Sequence, residues 1–254
     1  MRAMILAAGL GTRLRPLTDD RPKALVTVAG RTLLEITLCR LRSFGVREVI
    51  VNTHHFGGLI VEYLEANHNF GMHIEISRED ELLDTGGGLR RAEHFFLEAG
   101  RDSQQPFILH NVDVLSTIDL AQMVQFHTSQ GALATLAVQD RETSRYLLFD
   151  EQGLLCGRRY GRDGEDQLAL SARHVQPLAF SGIHILSPGI FAKMEEEGAF
   201  SIVNAYLRLA AQGEKIVAFR ADESYWRDLG RPESILHAAQ DVESGVYSIT
   251  RSIL

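Results

Sequence analysis

The stretch that decides the fold is residues 1–25, MRAMILAAGLGTRLRPLTDDRPKAL. Met4, Ile5 and Leu6 form an apolar run too short for a helix, which reads as a buried strand of an α/β sheet. It stops at Ala7-Ala8-Gly9-Leu10-Gly11-Thr12, where small residues let the backbone turn tightly and approach a ligand closely. Arg13, Arg15 and Lys23 then place three cations within eleven residues. Directed backbone N–H groups followed by cations suit a polyphosphate, which needs donors and charge neutralisation. Nucleotide contacts are therefore expected at Leu6, Ala7, Ala8, Gly9, Gly11, Thr12 and Arg13. The Walker loop is excluded, because no Gly-Lys-Ser/Thr triplet follows a four-residue gap. The dinucleotide fingerprint would need a third glycine where Leu14 stands. A long extended loop is expected around Pro16 and Pro22, since neither suits a helix interior.

Outward from this loop, strands and helices alternate. Arg31 to Phe44 carries a helical apolar pattern (Leu33, Leu34, Ile36, Leu38, Leu41), with Gly45 placed to end it. Arg47 to Asn52 reads as a strand, Leu59 to His68 as a helix and Met72 to Ser77 as a third strand. That alternation predicts a Rossmann-like, mostly parallel α/β sheet with right-handed crossovers, and ligands beyond the carboxyl ends of its strands. Leu83 opens a helix running to about Glu98 that starts with Gly86-Gly87-Gly88, three glycines not expected in a core. Phe107 to His110 is a strand ending in Asn111-Val112-Asp113, and Asp119 caps a helix to Gln130. Beyond it lie short strands at Ala134 to Gln139, Tyr146 to Phe149 and Leu154 to Cys156, with a hairpin turn at Asp150 to Gly153. Tyr160 to Arg173 reads as a mobile polar loop, Pro177 to Leu186 as a returning strand, Ser201 to Ala211 as a helix and Ile216 to Phe219 as a strand. One domain is expected over residues 1–245, with a nucleotide-binding half to 130, a β-rich sugar-phosphate half from 131, and a peripheral tail at 246–254.

The chain has 254 residues, 45% of them hydrophobic, enough for a sizeable core. A net charge of -7 argues against a general nucleic-acid binder. Cys39 and Cys156 form neither a metal-spaced pair nor a disulfide framework, which suits a reducing compartment. No apolar stretch approaches membrane-spanning length and no signal-peptide pattern is seen, so a cytoplasmic location is expected.

Leu6-Ala7-Ala8-Gly9-x-Gly11-Thr12-Arg13-Leu14-x-Pro16-Leu17-Thr18 with Pro22-Lys23-Ala24-Leu25 resembles the signature of the sugar-1-phosphate nucleotidyltransferases. The resemblance extends to about residue 240. It implies base contacts at Asp84, Thr85, Gly86 and Gly87, and sugar-phosphate contacts at Asn111, Ser181 and Gly182. It implies metal ligands at Asp113 and at Asp228, in Tyr225-Trp226-Arg227-Asp228-Leu229-Gly230-Arg231-Pro232-Glu233. Val112 departs from the family's usual Gly before the first aspartate, and Gly157-Arg158-Arg159 departs from a Glu-Lys-Pro triplet. Two carboxylates with room for waters and phosphate oxygens suit Mg²⁺. The expected partners are a nucleoside triphosphate and a sugar 1-phosphate, with no nucleic acid and no membrane. The expected catalytic residues are Arg13 for the leaving pyrophosphate and Lys23 as a point charge near the α-phosphate or the sugar phosphate.

Among family members the chain looks most like N-acetylmuramate-1-phosphate uridylyltransferases of cell-wall recycling, which use UTP, with mannose- or heptose-1-phosphate guanylyltransferases close behind. It is short, without the carboxy-terminal β-helix of several relatives. Two alternatives of other classes are a non-catalytic nucleotide-sugar sensor and a dinucleotide-dependent oxidoreductase, the latter disfavoured by the missing third glycine.

Overall fold

The N-terminal apolar run is β1 (Arg2–Leu6), whose Ala3, Met4 and Ile5 are wholly buried. The computed structural model describes residues 1–97 and 104–249. After β1 come a small hairpin, β2 (Thr27–Val28) and β3 (Arg31–Thr32), then α1 (Leu33–Ser43), β4 (Glu48–Thr53), α2 (Gly57–Ala66) and β5 (His73–Arg78). Next are α3 (Asp84–Arg91), α4 (Glu93–Leu97), β6 (Phe107–Asn111), β7 (Val114–Ser116), α5 (Leu120–Gln130) and β8 (Ala134–Gln139). Four strands follow: β9 (Arg145–Phe149), β10 (Leu155–Tyr160), β11 (Asp166–Leu168) and β12 (Gln176–Leu186). The described chain closes with α6 (Ile202–Ala211), β13 (Ile216–Arg220), β14 (Trp226–Asp228) and α7 (Pro232–Glu243). It divides into two compact units. One holds Met1–Asp84, His110–Ile118 and the described residues from Tyr225 onward; the other holds the described residues of Thr85–Leu109 with Asp119–Ser224.

In the first unit the strand order is β1-β4-β5. β1 runs parallel to β4 and β4 to β5, with Leu6 opposite Asn52 and Asn52 opposite Ser77. The parallel strand–helix–strand pattern read from the sequence is therefore present. Helix α1 starts where the Thr32 hydroxyl accepts from Glu35 N at 3.1 Å, and it ends where Gly45 takes φ +82°. Its Leu33, Leu34, Leu38 and Leu41 are fully buried. Two three-residue strands that periodicity could not reveal, β7 and β14, pair antiparallel. Helix α7 opens with Pro232 in its first turn.

In the second unit β12 pairs antiparallel with β8 and β9, β9 with β10, and β10 with β11, while β13 joins β8 in parallel. Phe96 stacks on Phe107 at 3.9 Å between centroids, and Phe191 stacks on both. The carboxylate of Asp150 accepts from Gln152 N and Leu154 N, which closes the hairpin turn anticipated there.

Several expectations need correction. The segment read as a mobile polar loop contains β11, because Arg158 and Arg159 pair in register with Gln167 and Asp166. Strand β10 accordingly reaches Tyr160 rather than stopping at Cys156. The three glycines are buried inside α3, and at Gly86 a Cβ would lie 2.2 Å from the Phe200 ring, so the lack of a side chain there admits that contact. The helix expected to reach Glu98 is interrupted at Ala92, and Glu98 itself lies outside the described residues. In the segment 246–254, Tyr247 is buried and stacks on Tyr225 at 5.0 Å, while 250–254 lie outside the described residues. Cys39 and Cys156 are both free and buried. Among the described residues no helix is long and apolar enough to cross a membrane.

Candidate active site

The loop after β1 is folded rather than extended. Leu6 O accepts from Val112 N at 3.1 Å, and Ala7 N donates to Asn52 Oδ1 at 2.7 Å, so the peptide that opens the turn is tied on both sides. Thr12–Leu14 and Lys23–Leu25 are single 3-10 turns, closed by Leu14 N to Gly11 O at 2.8 Å and Val26 N to Lys23 O at 3.0 Å. Gly11 sits at φ +65°, and a Cβ there would meet Thr18 Cγ2 at 3.0 Å and Lys23 Cβ at 3.2 Å. Only glycine fits both the left-handed backbone and the approach of Lys23.

The carboxylates reach the same place by another route. Strand β6 delivers Asn111, Val112 and Asp113 before the chain continues into β7. The Lys23 ammonium forms an ion pair with Asp113 Oδ2, and these side chains are only 12% and 16% exposed. Asp228, at the end of β14, lies opposite Val114, and Leu229 N donates to Asp113 O at 2.8 Å. Asp113 and Asp228 thus occupy neighbouring positions on a two-stranded ribbon. Asp228 Oδ1 accepts from Gly230 N at 2.9 Å. A Cβ on Gly230 would lie 2.7 Å from that oxygen and 3.1 Å from Arg13 Nη2, so glycine admits both charged groups.

Gly9, Leu10, Gly11, Thr12, Arg13, Lys23, Leu82 and Gly230 line one cleft of about 330 Å³. The structure therefore brings together most of the N-terminal loop residues singled out in the sequence. Leu6, Ala7 and Ala8 lie behind them, Ala7 and Ala8 buried. Sequence reasoning missed Leu10, Leu82 and Gly230 as lining residues. Leu10 and Leu82 are 46% and 40% exposed, and an exposed leucine in sequence carries no signal of its surroundings.

Asn111 closes β6 and its carbonyl accepts from His110 Nδ1–H at 2.7 Å. Burial, reinforced by the Arg40 charge, pushes the His110 pKa down to about 4, so the ring is neutral. Asp84 begins α3 at φ +58°. Thr85, Gly86, Gly87, Ser181 and Gly182 belong to the second unit. There Gly86 N and Gly87 N donate to Phe200 O at 2.8 and 3.4 Å, and Thr85 Oγ1 accepts from Ile202 N at 3.0 Å. Ser181 is wholly buried and Gly182 takes φ +73° within β12, where the pairing with β8 shifts register.

Chemically, the cleft is lined by loop backbone and the cations Arg13 and Lys23, a setting for phosphate groups; Asp113 and Asp228 do not line it but are bonded to the lining residues Lys23 and Gly230. A family model described as nucleotidyl transferase matches residues 2–153. The N-acetylmuramate alpha-1-phosphate uridylyltransferase of Caulobacter vibrioides is 34% identical over 93% of this chain and 94% of its own length. The chain belongs to the nucleotidyl transferase family. It is an enzyme of the sugar-1-phosphate nucleotidyltransferase class. The mannose-1-phosphate guanylyltransferase of Mycobacterium tuberculosis is 28% identical over 96% of this chain, which spans 65% of that protein's length. Among solved structures, a UDP-glucose pyrophosphorylase complexed with UDP-glucose superposes with a TM-score of 0.75 at 19% identity, covering 96% of this chain and 98% of the other. At that identity the likeness concerns the fold, and it agrees with the α/β nucleotide-binding architecture read from the sequence.

Proposed function

We propose that this nucleotidyltransferase transfers a uridylyl group from UTP to N-acetylmuramate 1-phosphate or a related amino-sugar 1-phosphate. The observation that carries the reaction is the gathering of Arg13, Lys23, Asp113 and Asp228 around Gly11 and Gly230. A phosphate oxygen of the sugar 1-phosphate attacks the α-phosphorus in line. The new P–O bond forms as the bond to the β-phosphate breaks, and pyrophosphate leaves with its electron pair. The nucleophile is already an anion at neutral pH, so no general base is required. Arg13 steadies the departing pyrophosphate with its planar fork. Lys23 is the point charge that meets the phosphate being transferred. Positioning and electrostatics supply most of the rate.

Mg²⁺ suits the donor set. Asp113 already holds a cationic group, and Asp228 offers a second carboxylate on the adjacent strand. Bound there, the ion would neutralise charge building on the phosphates, and it leaves coordination sites for waters and phosphate oxygens. Asp84, Thr85, Gly86 and Gly87 are proposed to act at the base, and Asn111, Ser181 and Gly182 at the sugar phosphate. The proposed compartment is the cytoplasm, where nucleoside triphosphates are supplied.

The choice of UTP and an amino sugar rests on the 34% identical uridylyltransferase, matched along 94% of its length. GTP with mannose or heptose 1-phosphate is the second reading, supported by the 28% identical guanylyltransferase. The deciding experiment is pyrophosphate release with each of the four ribonucleotides and dTTP, paired with a panel of sugar 1-phosphates, with Mg²⁺ and with EDTA. One Mg²⁺-dependent pair far above the rest names both substrates. Silence throughout with nucleotide binding intact favours the sensor reading. No nucleotide binding at all overturns the reading of Gly9 to Lys23.

A further inference from the structure

Asn52 and Glu79 sit behind the cleft, only 2% and 4% exposed, and neither lines it. Their side chains nevertheless connect its two walls. Asn52 Oδ1 accepts from Ala7 N at 2.7 Å, and Asn52 Nδ2 donates to Glu79 Oε1 at 2.7 Å. Glu79 Oε2 then accepts from Leu83 N at 3.0 Å. Ala7 N–H can only donate and a carboxylate can only accept, so the partners dictate which way the Asn52 amide faces. One wall is the loop Ala7 to Arg13; the other carries Leu82, next to Leu83. Glu79 is itself anchored, with its N donating to Thr53 O and its carbonyl accepting from His54 Nδ1–H.

A buried carboxylate is a costly way to fill space, and a packing role would be met more cheaply by an apolar side chain. What the carboxylate and amide supply together is a directional link of three short bonds, stiffened because one member is charged. We propose that Asn52 and Glu79 are positioning residues that fix the spacing of the two cleft walls, and so set the affinity for the nucleoside triphosphate. The inference rests on the nucleotide reading of the cleft given above.

The link can be tested by reversing its polarity. Asn52→Asp keeps the acceptor for Ala7 N but sets a carboxylate against Glu79. Glu79→Gln leaves one of its two bonds facing a donor. The double variant restores every bond. Its carboxylate at position 52 would accept from Ala7 N and from the new amide at position 79, whose oxygen would accept from Leu83 N.

Titration calorimetry of each variant with UTP and with GTP, in Mg²⁺ and without sugar, reads affinity separately from catalysis. Each single variant is expected to weaken the preferred nucleotide about tenfold, as loss of a bond to a charged group implies, with recovery in the double variant. In turnover assays the nucleotide KM should follow the same pattern while kcat moves little. Lower melting temperatures with unchanged affinity would reduce the link to a structural role and overturn the proposal. A double variant that folds yet binds as weakly as the singles would also overturn it. Failure of the unaltered protein to bind either nucleotide would instead remove the nucleotide reading, and the inference with it.

Discussion

The Lys23 ammonium rests on Asp113 Oδ2, joining residues that are ninety positions apart and come from unrelated segments, a loop turn and a strand end. Each partner neutralises the other in a pocket that leaves little of either exposed. The pair holds the carboxylate in place, and under the proposed function it supplies a cation for the transferred phosphate. Asp113→Asn should abolish turnover, with a fall of at least about a thousandfold in kcat, consistent with loss of a principal electrostatic group. Far-UV dichroism should stay close to that of the unaltered protein, while the melting temperature should fall, because Lys23 loses its partner in a largely buried setting. Full activity in that variant would remove Asp113 from the chemistry.

Gly230 admits both Asp228 and Arg13, and any side chain there would press on the Asp228 oxygen at 2.7 Å. Gly230→Ala should displace the carboxylate by some tenths of an ångström without unfolding the ribbon. Activity should drop about a hundredfold, since misplacement on this scale is costly to catalysis, while stability changes little. Steady-state kinetics beside a thermal melt would separate the two effects.

Gly86 is a packing glycine. A Cβ on it would lie 2.2 Å from the Phe200 ring and 2.9 Å from the Phe200 carbonyl oxygen, and a backbone oxygen cannot swing aside as a side chain can. Gly86→Ala should destabilise the protein by about 2 kcal/mol, within the usual range for overpacking. Urea unfolding measures this directly. Adding Phe200→Ala should recover only part of the loss, because the carbonyl contact persists.

His110 and His127 both have pKa values pushed down from 6.5 to about 4, mainly by burial. His127 lies between Thr135 Oγ1 and Ser187 Oγ, each at 2.9 Å. In the unfolded chain these rings take up protons near pH 6.5, whereas in the fold they resist until about pH 4. Their contribution to stability is therefore complete above pH 6.5 and declines as pH falls from there towards 4. Urea midpoints measured across that window should fall with acid. His127→Asn should be less stable at pH 7 but show a shallower decline, because one of the two titrating rings is gone.

The strands and helices with strong patterns were legible: β1, β4, β5, α1, α5 and β12 arise from apolar runs or periodicity, with Asp119 and Gly45 marking helix ends by local chemistry. The loop Gly9 to Lys23 was legible as a candidate phosphate site because glycines and cations are concentrated within a few residues, and the cleft gathers Gly9, Gly11, Thr12, Arg13 and Lys23. The strands β7 and β14 were not, being three residues each and too short to show a period. Nor was the helical place of Gly86, since propensity disfavours glycine in a helix and the Phe200 contact that requires it comes from a distant segment.

By itself, then, the sequence determined the α/β class, the loop after the first strand and the identity of the charged groups, because these depend on local periodicity and on residues close together in the chain. The tertiary structure decided what those groups do to one another. Lys23 meets Asp113, Asp228 is laid beside it by β14, and Asn52 reaches both Ala7 and Glu79, all through contacts between segments far apart in sequence. No local pattern encodes such contacts. They follow from which strands neighbour which, and that depends on how the chain as a whole buries its apolar surface.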